Sequence, residues 1–332
     1  MKDWFAGGRV LYPLIGLGLL LMFDFFFVPN FFQFEVRDGR LFGTVIDILN
    51  QGSKVMLLAI GMTLVIATGG VDLSVGSLMA VAGAVAAVLV TRSDLPVPVV
   101  CGVALGAVLL LGAFNGVLVS LVGIQPIVAT LILMVAGRGV AMLLTDGQIV
   151  TFENEALVYI GNGAFLGLPF TLTLVLAVWG GALLLTRRTA LGLFIETVGD
   201  NETAARFCGV PNRLVKTGVY CFSAVCAGVA GLIAASNIKA ADSSRVGEMM
   251  ELDAIFAVVV GGTALTGGRF TMAGSVTGAL LIQTLTTTMV SLNVSPAIIP
   301  VPKAVVIVAV CLLQSDKFRA EIGRVLGRKA MA

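Results

Sequence analysis

The sequence predicts an all-α membrane protein, a helical bundle of about ten spans with broken or re-entrant Gly-rich segments. Three observations predict it. The 332 residues are 58% hydrophobic and 12% charged, against about 25% charged residues in an ordinary soluble domain. Mean hydropathy is +1.03. The apolar residues gather into runs close to the ~20 residues with which a helix crosses a bilayer. The whole chain, 1–332, therefore reads as a single transmembrane domain.

The runs place spans at 10–28, 52–69, 73–91, 96–121, 126–145, 168–186, 216–236, 252–266, 272–291 and 297–314. The first follows Lys2 and Arg9. It is longer than the ~7–15-residue core of a secretory signal and no A-x-A-like site follows, so it reads as an uncleaved span. Residues 29–51 form an outer connection whose end, GTVIDILN at 43–50, fits a short interfacial helix. The span 252–266 is short and Gly-rich, as a re-entrant element would be. Lys and Arg mark the cytoplasmic side. Arg187, Arg188, Arg206, Arg213 and Lys216 put the loop 186–216 there. Lys317, Arg319, Arg324, Arg328 and Lys329 do the same for the tail 315–332. Lys2 and Arg9 place the N-terminus with them. The loop 146–167 has Asp146, Glu153 and Glu155 without Lys or Arg, so it faces outward.

Composition also excludes several functions. A net charge of +2, with no basic stripe, argues against nucleic-acid partners. The chain has no histidine, which removes Ser-His-Asp triads and H-E-x-x-H zinc sites. The five cysteines include no C-x-x-C pair, and the four in apolar segments read as small buried hydrophobes. No phosphate cradle G-x-x-x-x-G-K-[ST] occurs, so no cofactor is expected on this chain. ATP and Mg, if they drive transport, belong to another polypeptide.

Within the apolar runs a few residues stand out. In VIATGGVDLSVGS, 65–77, Asp72 is the only charge between Lys54 and Arg92. A charge at bilayer depth costs roughly 2.5–3.5 kcal/mol on insertion scales. Gly69 and Gly70 let the backbone leave the helix. Asp72 and Ser74 can cap the next helix, and the broken segment can line a polar pathway; the two readings can hold together. Arg138, between Gly137 and Gly139, needs an interior partner, either Asp72 or a backbone carbonyl. Asp24 and Lys303 lie near outer ends, where they are expected to reach the interface. Residues 63–83 and 257–278 echo each other as apolar run, Gly-rich break and small-residue helix. Paired breaks of this kind point to a site or gate in transporters.

In the cytoplasmic loop, 201–206 reads as a short helix capped by Asp200 or Asn201 and stopped by Gly209 and Pro211. Ala204, Ala205, Phe207 and Val210 would give it an apolar patch facing a partner.

These residues carry a resemblance. ATGGVDLSVGS resembles the signature of the membrane permease subunits of ribose- and galactoside-type ABC importers. FNGVLV (114–119), QPIVATL followed by GRGVA (125–141) and TVGDNETAARFCGV (197–210) are similar to the same family, in order. So are YCFSAVCAGVAGLIAA (220–235) and ELDAIFAVVVGGTALTGGRF (251–270). The likeness runs from about 45 to 314, and DGRLFGTVIDILNQ (38–51) and GQIVTF (147–152) look like the galactofuranose-type branch.

The resemblance implies a type II importer-like bundle and a monosaccharide cargo, galactofuranose or a similar furanose or pentose. It implies cytoplasmic ATPase subunits, a periplasmic sugar-binding protein and a second permease chain, either a related heteromeric subunit or a second copy. The site would be the bacterial inner membrane, in contact with lipid. Asn201, Glu202, Ala204, Ala205, Arg206 and Gly209 match the coupling helix that docks into the ATPase. Gly69, Gly70, Asp72, Ser74, Ser77, Arg138, Thr263 and Thr266 become candidates for the pathway or gate. The rival readings are an importer for another small solute, such as ribose or a nucleoside, and an ion-coupled transporter using Asp72 or Asp24.

Overall fold

A computed structural model of the chain describes residues 10–37, 40–295 and 297–314. The expected cytoplasmic N-terminus with Lys2 and Arg9, and the tail 315–332, lie outside the described residues. Each of the ten expected spans corresponds to a helix. They are α1 (Leu11–Phe27), α2 (Thr44–Ala67), α3 (Val75–Arg92), α4 (Val97–Val117), α5 (Pro126–Leu144), α7 (Phe170–Arg188), α10 (Asn212–Ile238), α11 (Met250–Val260), α12 (Met272–Ser291) and α13 (Pro300–Gln314). Three shorter helices complete the set: α6 (Glu155–Asn162), α8 (Leu191–Asp200) and α9 (Glu202–Phe207). Among the described residues, six helices are long and apolar enough to cross a membrane, namely α2, α3, α4, α5, α7 and α10. Strand pairing among the described residues is confined to three two-stranded antiparallel ladders in connections.

Two boundaries differ from the sequence expectation. Residues 43–50 do not form a separate interfacial helix, because α2 runs unbroken through them. Within the polar run Asn50-Gln51-Gly52-Ser53, Gly52 and Ser53 are buried, Asn50 is half-buried and Gln51 stays exposed. Asn50 Oδ1 accepts from Thr171 Oγ1 at 2.9 Å, and Ser53 Oγ donates to the Asn50 carbonyl at 2.6 Å. The expected span 252–266 is the half-length α11, followed by a turn over 261–271 that leads into α12.

The bundle has a protein-facing centre and an apolar rim. In α2, α3 and α10, 78%, 72% and 67% of the apolar window is buried, against 22–28% in α4, α5 and α7. Helices that are apolar all round and buried form a core, and those with a bare apolar face are suited to lipid. α10 packs on α2, α3 and α4, and α12 packs on α1, α2 and α11. Small residues permit the close approach, as is usual between membrane helices. A methyl on Gly231 of α10 would overlap the carbonyl of Met79 in α3 and lie 2.8 Å from its Cα. One on Gly228 would meet Val108 of α4 at 2.7 Å.

Gly231→Ala is expected to destabilise the detergent-purified protein by about 1–3 kcal/mol, the usual range for overpacking. Gly218 lies on the same helix with nothing within 4 Å of an added methyl. Gly218→Ala should change stability by no more than ~0.5 kcal/mol. Thermal midpoints of the two variants, measured side by side, check the expectation.

Candidate functional site

The α8–α9 corner is built from local signals. The Asn201 side chain, rather than Asp200, caps α9, accepting from Ala204 N at 2.9 Å. Gly209 has φ +80°, and its amide donates to Arg206 O while Val210 N donates to Ala205 O. This is the paired hydrogen-bond closure of a left-handed helix end. It draws Ala205 and Val210 together on the protein side, so Ala205 is buried and Val210 half-buried. The expected outward patch therefore loses both residues. Ala204 and Phe207 stay exposed, as do Asn201, Glu202, Arg206 and Gly209. Two bonds tie the short helix to α10. Glu202 Oε2 pairs with Lys216 Nζ at 2.6 Å, and Asn212 Nδ2 donates to the Glu202 carbonyl at 2.7 Å.

The break after α2 closes in the same way. Gly69, at φ +79°, donates to Ile66 O, and Gly70 N donates to Val65 O. The chain then turns back into the bundle and buries Asp72 completely. Asp72 Oδ1 accepts from Ser74 N at 3.0 Å and Ser74 Oγ at 2.6 Å, and Oδ2 accepts from Ser223 Oγ of α10 at 3.0 Å. Asn115 of α4 donates to Ser74 Oγ at 3.0 Å. Ser77 Oγ lies 2.8 Å from Ser74 O and 3.3 Å from Leu133 O of α5. Asp72 thus ties α3, α4 and α10 together, and Ser74 and Ser77 are sealed with it. Asn115 and Ser223 were not singled out from the sequence. The lone amide of the apolar run 97–122 was the available signal for Asn115, whereas Ser223 gives none.

Arg138 takes the second of its two expected partners. It does not pair with Asp72. Its Nη1 donates to the carbonyls of Ser243 at 3.1 Å and Val246 at 2.5 Å, pinning the α10–α11 connection to α5. That connection opens with a turn around Asp242, whose Oδ1 accepts from Ser244 Oγ at 2.6 Å, Ser244 N and Arg245 N. The Ser244 hydroxyl, followed by the two backbone amides and the nearby Arg245 charge, holds the Asp242 carboxyl below its ordinary value.

Asp24 and Lys303 do not reach outward as expected. Asp24 is buried against α12 and accepts from Thr288 Oγ1 at 2.8 Å. Lys303 closes on both carboxylate oxygens of Asp253, at 2.9 and 3.1 Å, where α13 passes α11. In the 261–271 turn, buried Thr263 accepts from Thr271 N at 3.3 Å. Thr266 is exposed in a cleft of about 560 Å³ between α8 and the turn.

The two Gly-rich breaks meet. Gly268 N donates to Ala67 O at 2.9 Å, and a methyl on Gly267 would lie 2.9 Å from Gly69 N. α11 ends as α2 does, with Gly262 at φ +88° donating to Val259 O and Thr263 N to Val258 O.

A helical bundle with an apolar rim, a sealed polar centre and a short capped helix at one end is the architecture of a multi-pass membrane protein. Residues 44–313 match the family described as the permease component of the branched-chain amino acid transport system, and the chain belongs to that family. The chain is 50% identical over 320 residues to the galactofuranose transporter permease protein of Escherichia coli, covering 95% of this chain and 92% of that one. It is 40% identical to the fructose import permease protein of Bifidobacterium longum, over 84% of this chain and 79% of that one. To the ribose import permease protein of Escherichia coli it is 38% identical, over 92% and 93%. No solved structure matches the chain.

Ser223→Ala leaves a buried Asp72 oxygen without a partner and is expected to cost about 1–3 kcal/mol. The thermal midpoint of the detergent-purified protein reads the loss. Asp242, with its folded-state value below the ordinary 3.8, contributes stability above that value and loses it as pH falls through the folded one. Asp242→Asn should therefore flatten the acid limb of the profile of thermal midpoint against pH.

Proposed function

We propose that this chain is the translocation-pathway subunit of an ATP-driven ABC importer whose cargo is galactofuranose or a similar furanose or pentose. The observation that carries the cargo is the 50% identity to a galactofuranose permease over 95% of the chain. Importers of ribose or fructose are the second reading, favoured by relatives at 38% and 40% identity. ATP and Mg sit on separate cytoplasmic ATPase subunits. A second permease chain, preferably a related heteromeric subunit, and a periplasmic sugar-binding protein complete the assembly.

In this reading the 186–216 side of the bundle is cytoplasmic and the 146–167 side faces outward, in the inner membrane of a bacterium. α9 is the coupling helix, with Asn201, Glu202, Ala204, Arg206 and Gly209 offered to the ATPase and Ala205 packed behind them. Its support is mechanical. A helix of six residues is marginal alone, and here both ends are capped and two bonds hold it to α10. It can then move as a rigid body when the ATPase pair closes on ATP. The segment Gly69, Gly70, Asp72, Ser74 and Ser77, with Arg138, Thr263 and Thr266, forms or frames the gate. The sealed hydroxyls become available to sugar only in another state of the cycle.

The test is purification of the tagged chain with its partners, followed by sugar uptake into proteoliposomes containing binding protein and ATP. Glu202→Lys sets a positive charge against Lys216, and Gly209→Pro cannot adopt the left-handed turn. Each should reduce uptake by about 5–150-fold, the span of ordinary intersite coupling, with the protein still in the membrane. Unchanged uptake in both would remove the coupling role of α9.

A further inference from the structure

Three backbones cross at the α9 end of the bundle with no side chain between them. They are the end of α8 at Gly199, the end of α2 at Ala67–Gly69, and the α11–α12 turn at Gly267–Gly268. A methyl on Gly199 would overlap Ala67 O and lie 2.5 Å from Gly268 N. A methyl on Gly267 would lie 2.9 Å from both Gly199 O and Gly69 N. Around this crossing α8 and the turn are separated by the cleft lined by Glu196, Asp200, Thr266 and Arg269. α8 packs mainly on α7, α9, α10 and the end of α2, so its main route to the α11–α12 pair is the crossing.

We propose that Gly199 is the positioning residue through which movement of α9 reaches both Gly-rich breaks. The inference rests on the reading of α9 as the coupling helix. Gly199 lies two residues before the cap Asn201, and Gly69 lies three before Asp72. Direct backbone contact suits the task because hard-core repulsion is steep and packed contacts shift between discrete arrangements rather than deforming continuously. A side chain at the crossing would add a rotatable spacer. The Gly268 N to Ala67 O bond of 2.9 Å holds the α2 end and the turn together, so both receive the same displacement.

The test compares Gly199→Ala and Gly267→Ala with wild type in the reconstituted complex. Both variants should capture the ATPase as wild type does. Both should lose at least roughly fivefold, the lower end of ordinary coupling, in uptake and in binding-protein-stimulated ATP hydrolysis. Gly268→Ala is the contrast. Its φ of +91° strains it, but the nearest neighbour of its methyl is Asp200 Oδ1 at 4.0 Å, so it should lose less. A folded Gly199→Ala protein with wild-type uptake overturns the inference. A second measurement leaves the crossing untouched. Spin labels on native Cys208, beside α9, and on Leu265→Cys in the turn, with the other cysteines replaced by alanine, report the distance across it. That distance should stay constant between nucleotide-free and ATP-bound complexes, and a change overturns the inference even if the glycine variants fail to fold. Wild-type protein that captures no ATPase overturns the importer reading and this inference together. A wild-type complex alongside normally coupled Gly199→Ala overturns the inference alone.

Discussion

A main chain that leaves its helix inside a membrane bundle must find protein partners for its amides and carbonyls, because hydrocarbon offers none. That constraint organises the molecule. The first break takes its partners from every side: Val71 O from Thr130 of α5, Ala67 O from the α11–α12 turn, and Ser74 N from Asp72. Asp72 then needs Ser223, and Ser74 needs Asn115, so α4 and α10 are fixed by the same accounting. The second break is closed by Thr263 and Thr271 from within, with Thr271 Oγ1 donating to Gly261 O at 2.9 Å. A buried polar network of this sort rigidifies its surroundings, although Asn115 Oδ1 is buried in it without a hydrogen bond.

The same bundle anchors the short surface helix α9. A six-residue helix on its own would fray. Asn201 caps it, the left-handed closure at Gly209 ends it, and Glu202 fastens it to α10. The same economy recurs at Arg138, which holds the α10–α11 connection by two carbonyls. A guanidinium suits that position, since it presents several donors in one plane.

Much of this was legible from particular residues. Apolar runs located ten of the thirteen described α-helices, and the glycines of ATGG and VVVGG marked where two of them end. Asn201 and Gly209 announced α9, and an isolated Arg138 announced an interior partner. Elsewhere the sequence misled because it shows composition along one line. Asn50 fell in the expected outer connection and instead lies inside α2, bonded to Thr171 of α7. Asp24 looked interfacial and is roofed by Thr288. Ala205 looked like part of a docking patch and is turned inward by the helix closure.

The sequence by itself determined that this is a helical membrane protein with two glycine breaks and a capped helix in a basic loop. Those features follow from local rules of hydrophobic length, backbone freedom and capping. Only the tertiary structure decided that the breaks lie against each other and against Gly199, that Asp72 belongs to Ser223 and Asn115, and that Arg138 holds carbonyls. These pairings join residues up to about two hundred positions apart, such as Ala67 and Gly268. They depend on which small residues let the helices approach, and that is a property of the packed bundle as a whole.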